Sequence, residues 1–263
     1  MRLFICTNSS SERHRAAARA VIAKITEGCR ADFCMPGDDC ANLYDGSREY
    51  AGEADSCDYV IGIGGDGTVL RAAQYALSVD RPLLGINNGR LGYLCGAGVA
   101  DAERFDENTF ANMPGTVRTL LEFSIDGKTY TALNDVVVTK TNMGVSVELE
   151  AYCRDEFLAS WRCDGVIIAT PTGSTAYNFS AGGPKLMNDV PCFAVTPICP
   201  HNQSTKSVVV NDSSPITVNI TERTNKTGYI YADGVLCGQI DTSVTVRKSE
   251  KKLILLGRDP NWI

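Results

Sequence analysis

The 263-residue chain has no apolar run long enough to cross a membrane. Its first apolar residues give way to Thr7-Asn8-Ser9-Ser10-Ser11 too soon for a secretory signal. No Cys-x-x-Cys pair occurs among its eleven scattered cysteines, and several of them, such as Cys6, Cys192 and Cys237, sit in strand-like apolar surroundings. That usage fits a reduced, cytoplasmic protein in which cysteine serves as a small hydrophobe. Cys34 and Cys40 flank a Pro-Gly turn, a weak candidate for pairing or metal binding. Only two histidines are present, His14 and His201, and neither has a metal-ligating partner at useful spacing. No structural zinc is expected. Positive charge is not in excess: the net charge is −6, which argues against a nucleic-acid footprint. There is no internal repeat and no low-complexity linker.

What remains is a soluble globular composition, 44% hydrophobic and 21% charged, with length for one large domain or two modest ones. Strands at 3–6, 31–33, 58–63 and 82–86 alternate with helices at 12–26 and 68–77, the first helix ending near Gly28. Residues 36–52 are polar, a loop with one helical turn. This alternation predicts an α/β domain with a parallel, doubly wound, Rossmann-like sheet over residues 1–98. A helix at 102–113 follows. β-branched and alternating runs then come at 118–125, 129–139, 145–152, 166–170, 192–196, 208–210, 216–220, 228–232, 242–247 and 252–256. They predict a β-rich second domain over 99–246, with 247–263 packing back on the first.

The most informative stretch is Val60-Ile61-Gly62-Ile63-Gly64-Gly65-Asp66-Gly67-Thr68-Val69-Leu70: a buried strand, a glycine turn and a helix start. Such a turn offers backbone N–H groups and a helix dipole to anions. Gly62, Gly64 and Gly67 satisfy G-x-G-x-x-G, but no acidic residue ends the next strand, where a ribose-binding carboxylate belongs. No Gly-Lys-Ser/Thr follows, so this is not a Walker loop. Asp66 decides between the readings. A turn built only for packing or for phosphate gains nothing from a central carboxylate. A carboxylate beside phosphate suits phosphoryl transfer to an alcohol.

Further candidates lie elsewhere. Cys163-Asp164-Gly165 leads through a buried strand into Thr170-Pro171-Thr172-Gly173-Ser174-Thr175-Ala176-Tyr177-Asn178-Phe179-Ser180-Ala181-Gly182-Gly183-Pro184 and a helix. Small side chains there let a ligand approach the backbone, and Tyr177 offers a flat face. Helix capping is the plainer reading. Ser174 is no hydrolase nucleophile, since G-x-S-x-G is absent. Asn134-Asp135 heads a valine-rich strand and could hold sugar hydroxyls, or simply begin the strand. Asn87-Asn88-Gly89-Arg90 follows the strand at 82–86, at the carboxyl edge where open α/β sheets bind ligands. Arg71, one turn into its helix, could reach phosphate or face solvent. Asp233-Gly234 reads as a hairpin turn.

Taken together, these segments resemble the NAD kinase family over nearly the whole chain. The resemblance rests on Gly64 to Thr68, on Gly85-Ile86-Asn87 to Leu94, on Leu133-Asn134-Asp135, and above all on Asp164-Gly165 through Pro184. It implies transfer of the ATP γ-phosphate to the 2′-hydroxyl of the adenosine ribose of NAD, with a divalent cation, usually magnesium. It implies that Asp66 is the proton acceptor. It puts Gly67, Asn134, Asp135, Arg162, Asp164, Thr172, and Thr175, Ala176, Tyr177, Asn178 through Ser180 at dinucleotide-binding positions. Gly64, Gly65, Thr68, Arg71 and Asn87 complete the expected site. A homodimer or homotetramer built on the β-rich domain is also implied. Asp135 stands where the family usually has Glu, and Val235 where some members have Gln. Three rivals stay open on the residues alone: a lipid or sphingoid-base kinase sharing the Gly-Gly-Asp-Gly turn, a nicotinamide-dependent oxidoreductase, and a non-catalytic NAD sensor.

Overall fold

Apolar residues on both faces of short strands call for cover on both sides, and the N-terminal part of the chain supplies it. The computed structural model describes residues 1–47, 49–89, 92–142, 144–201, 206–221 and 227–257. They divide into two units, 1–118 with the segment from 252 to 257, and 119–251.

The first unit contains β1 (Arg2–Thr7), β2 (Asp32–Cys34), β3 (Tyr59–Gly64), β4 (Leu83–Asn87), β5 (Ala97–Gly98) and β6 (Gly115–Arg118), together with the late strand Leu253–Leu256. Their order is β2, β1, β3, β4, the late strand, then β6, with β5 also paired to β4. All neighbours run parallel except β6. Helix α1 (Glu12–Cys29) covers the face carrying Leu3 and Ile5, through Ala18, Val21, Ile22 and Ile25. Helix α3 (Asp66–Val79) serves the opposite face, where Phe4 meets Tyr75 with ring centroids 4.8 Å apart. The sheet is thus doubly wound, the α/β class expected.

Local differences have physical causes. Helix α1 runs past Gly28 to a left-handed cap at Arg30 (φ 45°). Gly28 serves packing instead, since a Cβ there would lie 2.3 Å from the Phe105 carbonyl oxygen. Part of the 36–52 loop is helix α2 (Gly37–Leu43). The helix expected at 102–113 is split: a 3-10 segment at Val99–Arg104 precedes α4 (Glu107–Asn112), because Asp106 leaves helical geometry and caps the Thr109 N–H. The unit boundary falls after Arg118, not at 98, because β6 pairs with Leu253–Leu256 and completes the first sheet. The second junction lies at 251/252, not 246/247, because β18 (Ser243–Lys248) pairs within the second unit.

The second unit is a sandwich of two antiparallel sheets. Its strands are β7 (Leu121–Ile125), β8 (Lys128–Ala132), β9 (Asp135–Lys140), β10 (Val147–Cys153), β11 (Glu156–Cys163), β12 (Gly165–Ala169), β13 (Cys192–Ile198), β14 (Val208–Asn211), β15 (Ile216–Ile220), β16 (Gly228–Ala232), β17 (Val235–Ile240) and β18. One sheet is ordered β11-β10-β15-β18-β7-β8, the other β14-β13-β12-β9-β16-β17. Period-two alternation sends Val136 and Val138 into the core between the sheets, with Leu149, Trp161 and Phe193. Val137 goes to the opposite face with Ile167 and Ile198. That second face bears a cavity.

Candidate active site

In the first unit, β3 delivers Gly64 at its last position, Gly65 caps the helix, and Asp66 is the first residue of α3. Gly64 must be glycine, since a Cβ there would lie 2.4 Å from Thr68 Oγ1. Beside Gly65 and Gly67 there is open space. A cavity of about 580 Å3 lies there, lined by Gly65, Gly67, Thr68 and Arg71, by Thr7 to Ser10 after β1, and by Asp38, Asp39 and Asn42. The first N–H groups of a helix lack intrahelical acceptors, so this turn suits an anion. Thr7 lines the cavity, and its buried hydroxyl has no hydrogen-bond partner among the described residues.

Arg71 lines the cavity but is not a loose phosphate arm. It donates to both carboxylate oxygens of Asp39, at 2.9 and 2.8 Å, and to the Thr7 carbonyl at 2.7 Å. Asp39 in turn accepts the Thr7 N–H at 2.9 Å. Asp39, only 3% exposed, was not foreseen; a Gly-Asp-Asp sequence carries no sign that one acid will be buried. Asn87 ends β4 in register with Gly64. Arg90 lies outside the described residues.

The Asp66 carboxylate accepts the backbone N–H groups of Tyr93 (3.2 Å) and Leu94 (3.1 Å). Next to them, the Cys95 thiol faces the Gly64 carbonyl at 3.8 Å. Burial, and then the Asp66 charge, push that thiol up to about 12.

In the second unit, a cavity of about 440 Å3 is lined by Asn134, Asp135, Val137, Thr139, Ala176 and Tyr177, with Ile198, Tyr231, Asp233 and Gly234 opposite. Two sequence-distant candidates meet here. The Thr170 hydroxyl donates to the Leu133 carbonyl at 2.6 Å and accepts the Gly173 N–H at 3.0 Å. The 170–177 run is thereby fastened to Asn134-Asp135. The run itself is a 3-10 turn (Thr172–Thr175) followed by the four-residue α5 (Tyr177–Ser180), not an extended helix.

Asp233 is more than the turn residue expected. Its carboxylate accepts the N–H groups of Leu133 (2.8 Å), Asn134 (2.7 Å) and Asp135 (3.2 Å). Burial, and then Asp233, push the Asp135 carboxyl up to about 7. Burial raises Asp233 as well, against those three backbone donors.

Other expected residues stand apart from this cavity's wall. Asn178 is fully buried, and its amide is spent on the Ser174 and Pro184 carbonyls and the Thr196 hydroxyl, so it braces the loop. Thr172 bonds Asn188, and Ser180 is exposed at the end of α5. Asp164 pairs with Lys140 at 2.5 Å, and its carbonyl accepts the hydroxyl of the cavity residue Thr139. Arg162 donates to Ser146. Thr175 is half-buried between Ser174 and Ala176. Among the described residues no group of three or more His, Cys, Asp or Glu could hold a metal ion, and no helix is long and apolar enough to cross a membrane.

The comparisons agree with these features. Residues 11–110 match the ATP-NAD kinase N-terminal domain, and residues 133–256 the ATP-NAD kinase C-terminal domain. The NAD kinase of Solibacter usitatus is 33% identical over 96% of this chain and 92% of its own length. That of Chromohalobacter salexigens is 36% identical over 82% and 76%. Yeast NADH kinase complexed with NADH shares the fold at a TM-score of 0.84 and 22% identity, over 100% of this chain and 85% of that one. An NAD kinase from Archaeoglobus fulgidus in complex with ATP gives 0.75 and 24%, over 98% and 94%. The lipid-kinase and oxidoreductase readings find no support among these relatives. On the strength of both domain matches and full-length relatives above 30% identity, the chain belongs to the NAD kinase family.

Proposed function

We propose that the chain transfers the γ-phosphate of ATP to the 2′-hydroxyl of the adenosine ribose of NAD, with Asp66 as the proton acceptor. A bond forms between the ribose oxygen and the γ-phosphorus. The bond from that phosphorus to the β,γ-bridging oxygen breaks, and ADP leaves with the electron pair. The hydroxyl proton passes to the Asp66 carboxylate. Acid–base assistance of this kind typically contributes about 10²–10⁴-fold. The transition state is loose, so holding the phosphates and neutralising their charge supply much of the remainder. The N–H groups of Gly65 to Gly67 and the Arg71 guanidinium serve the phosphates. Asn134 and Asp135 serve the ribose hydroxyls, and Tyr177 offers its ring to the base.

A divalent cation fits this arrangement as the companion of the nucleotide. It would enter with the phosphates of the nucleotide. There it would supply charge neutralisation on the transferred phosphoryl group. We further propose a homodimer or homotetramer and a cytoplasmic site of action, in keeping with eleven unpaired cysteines.

The observation that carries this reading is a carboxylate seated inside a helix N-terminal turn shaped for phosphate. Purified protein with ATP, magnesium and NAD should form NADP, read by an NADP-specific dehydrogenase. Asp66→Asn should still bind NAD by calorimetry but lose about 10²–10⁴-fold in turnover. Near-wild-type turnover in that variant would remove Asp66 from the chemistry.

A further inference from the structure

We propose that Gly92 is a positioning residue for Asp66: its missing side chain lets the backbone of residues 92–94 close over the carboxylate and hold it. A Cβ on Gly92 would lie 2.2 Å from Asp66 Oδ1, 2.8 Å from Cγ and 3.1 Å from Oδ2. No side chain fits there while the carboxylate keeps its place. The Tyr93 and Leu94 N–H groups then reach the two oxygens, one each.

The segment cannot retreat to make room, because it is fixed from behind. A Cβ on Gly85 would lie 2.6 Å from the Leu94 carbonyl oxygen and 3.1 Å from Cys95 Cα, so β4 already touches this backbone. Gly96 donates its N–H to the Gly85 carbonyl at 2.9 Å. A Cβ on Gly96 would meet the Leu256 carbonyl oxygen at 2.1 Å. The Cys95 thiol faces the Gly64 carbonyl of the same turn. The glycines at 85, 92 and 96 thus bring one backbone segment against the turn and the strand together. Two fixed donors select one rotamer of Asp66 and aim its remaining lone pairs. A displacement of about 1 Å in a catalytic group can cost on the order of 10²-fold.

This inference rests on the reading of Asp66 as proton acceptor. Gly92→Ala should lower kcat about 30- to 100-fold while the KM values for NAD and ATP stay within threefold. A merely structural glycine would not split the two constants in this way. The clash is with the Asp66 side chain itself, so thermal stability gives a second readout. Gly92→Ala should lower Tm in the wild-type background and leave it unchanged in the Asp66→Ala background, where the space is vacated. If the single variant does not fold but the double variant does, the inference holds. A kcat within threefold of wild type overturns it, as does an equal Tm loss, or failure to fold, in both backgrounds. If Asp66→Asn keeps its turnover, the reading of Asp66 fails first. If Asp66→Asn is inactive and Gly92→Ala is not, only the positioning role fails.

Discussion

Asp233 folds its carboxylate back onto the N–H of Asp135 at 3.2 Å, so two acids share one buried corner of the second unit's cavity. The three backbone donors favour the ionised form of Asp233. Burial outweighs them and raises both carboxyls of this corner, that of Asp135 to about 7. The folded state therefore binds more protons than the unfolded chain between about pH 4 and pH 7. Stability is undiminished by this pair at the acid end of that window and falls as pH rises through it. Asp135→Asn removes the Asp135 part of that titration. Denaturant unfolding at pH 5 and pH 8 should show the variant gaining on wild type toward pH 8, by on the order of 1–3 kcal/mol. A pH-independent difference would mean that Asp135 is ionised throughout.

The Asp39–Arg71 pair predicts an asymmetric response. Arg71 has 42% of its side chain exposed, so without Asp39 it can rehydrate. Asp39 is buried, so without Arg71 it keeps, among the described residues, the Thr7 N–H as compensation. Arg71→Met should cost more, roughly 2–4 kcal/mol, than Asp39→Asn, roughly 1–2 kcal/mol. The exposure of Arg71 moderates both values. Both changes should raise the KM for ATP. Equal losses in urea titrations would contradict this account.

The cysteines supply a third test. Cys199 is exposed, Cys153 and Cys237 are half-buried, and the other eight are buried. Burial, first among the causes, pushes Cys6 and Cys163 up to about 12, as it does Cys95. Few thiolates therefore exist at these three positions at pH 8. A thiol reagent should label Cys199 rapidly, Cys153 and Cys237 more slowly, and the remainder only on unfolding. Peptide mapping after brief labelling distinguishes this order from uniform reactivity.

Much of the architecture was legible because its signals are local. Apolar runs bounded by glycine mark β3 and β12, and alternation marks β15 and β16 almost to the residue. Strand β11 escaped although Ala159, Trp161 and Cys163 alternate inward, because its first residues are exposed and its inward side chains are of uneven size, and β17 escaped because Gly238 interrupts its pattern. The continuous strand expected at 129–139 is interrupted at Leu133-Asn134, whose N–H groups turn to Asp233. The glycine turn and the 170–177 run could be found from residue type alone. The back-folded Asp233, the buried Asp39 and the approach of Gly92 to Asp66 could not. Each depends on a partner between 26 and about 100 residues away, and nothing in the local sequence names that partner.

The junction between the 170–177 run and Asn134 yields the sharpest prediction for binding. A Cβ on Gly173 would lie 2.0 Å from the Asn134 carbonyl oxygen, 2.4 Å from its carbonyl carbon and 2.5 Å from its Cα. These are backbone atoms of a strand entry already held by Asp233, so they cannot yield as a flexible side chain would. Gly173→Ala must therefore either push the run outward or displace Asn134, and both alter the cavity that Asn134, Asp135 and Tyr177 share. Stability should fall by about 1–3 kcal/mol. NAD affinity should fall at least tenfold, while ATP affinity, assigned in the proposed function to the first unit's glycine turn, should stay within twofold. Thr170 separates the hydrogen bond from the packing. Thr170→Ser keeps the hydroxyl that joins Leu133 to Gly173 and should bind NAD nearly as well as wild type, whereas Thr170→Val leaves a buried carbonyl and an N–H unpaired, at about 1–3 kcal/mol. Calorimetric titration of each variant with NAD and with ATP tests the scheme, and equal weakening toward both ligands would show that the two units do not divide the binding in this way.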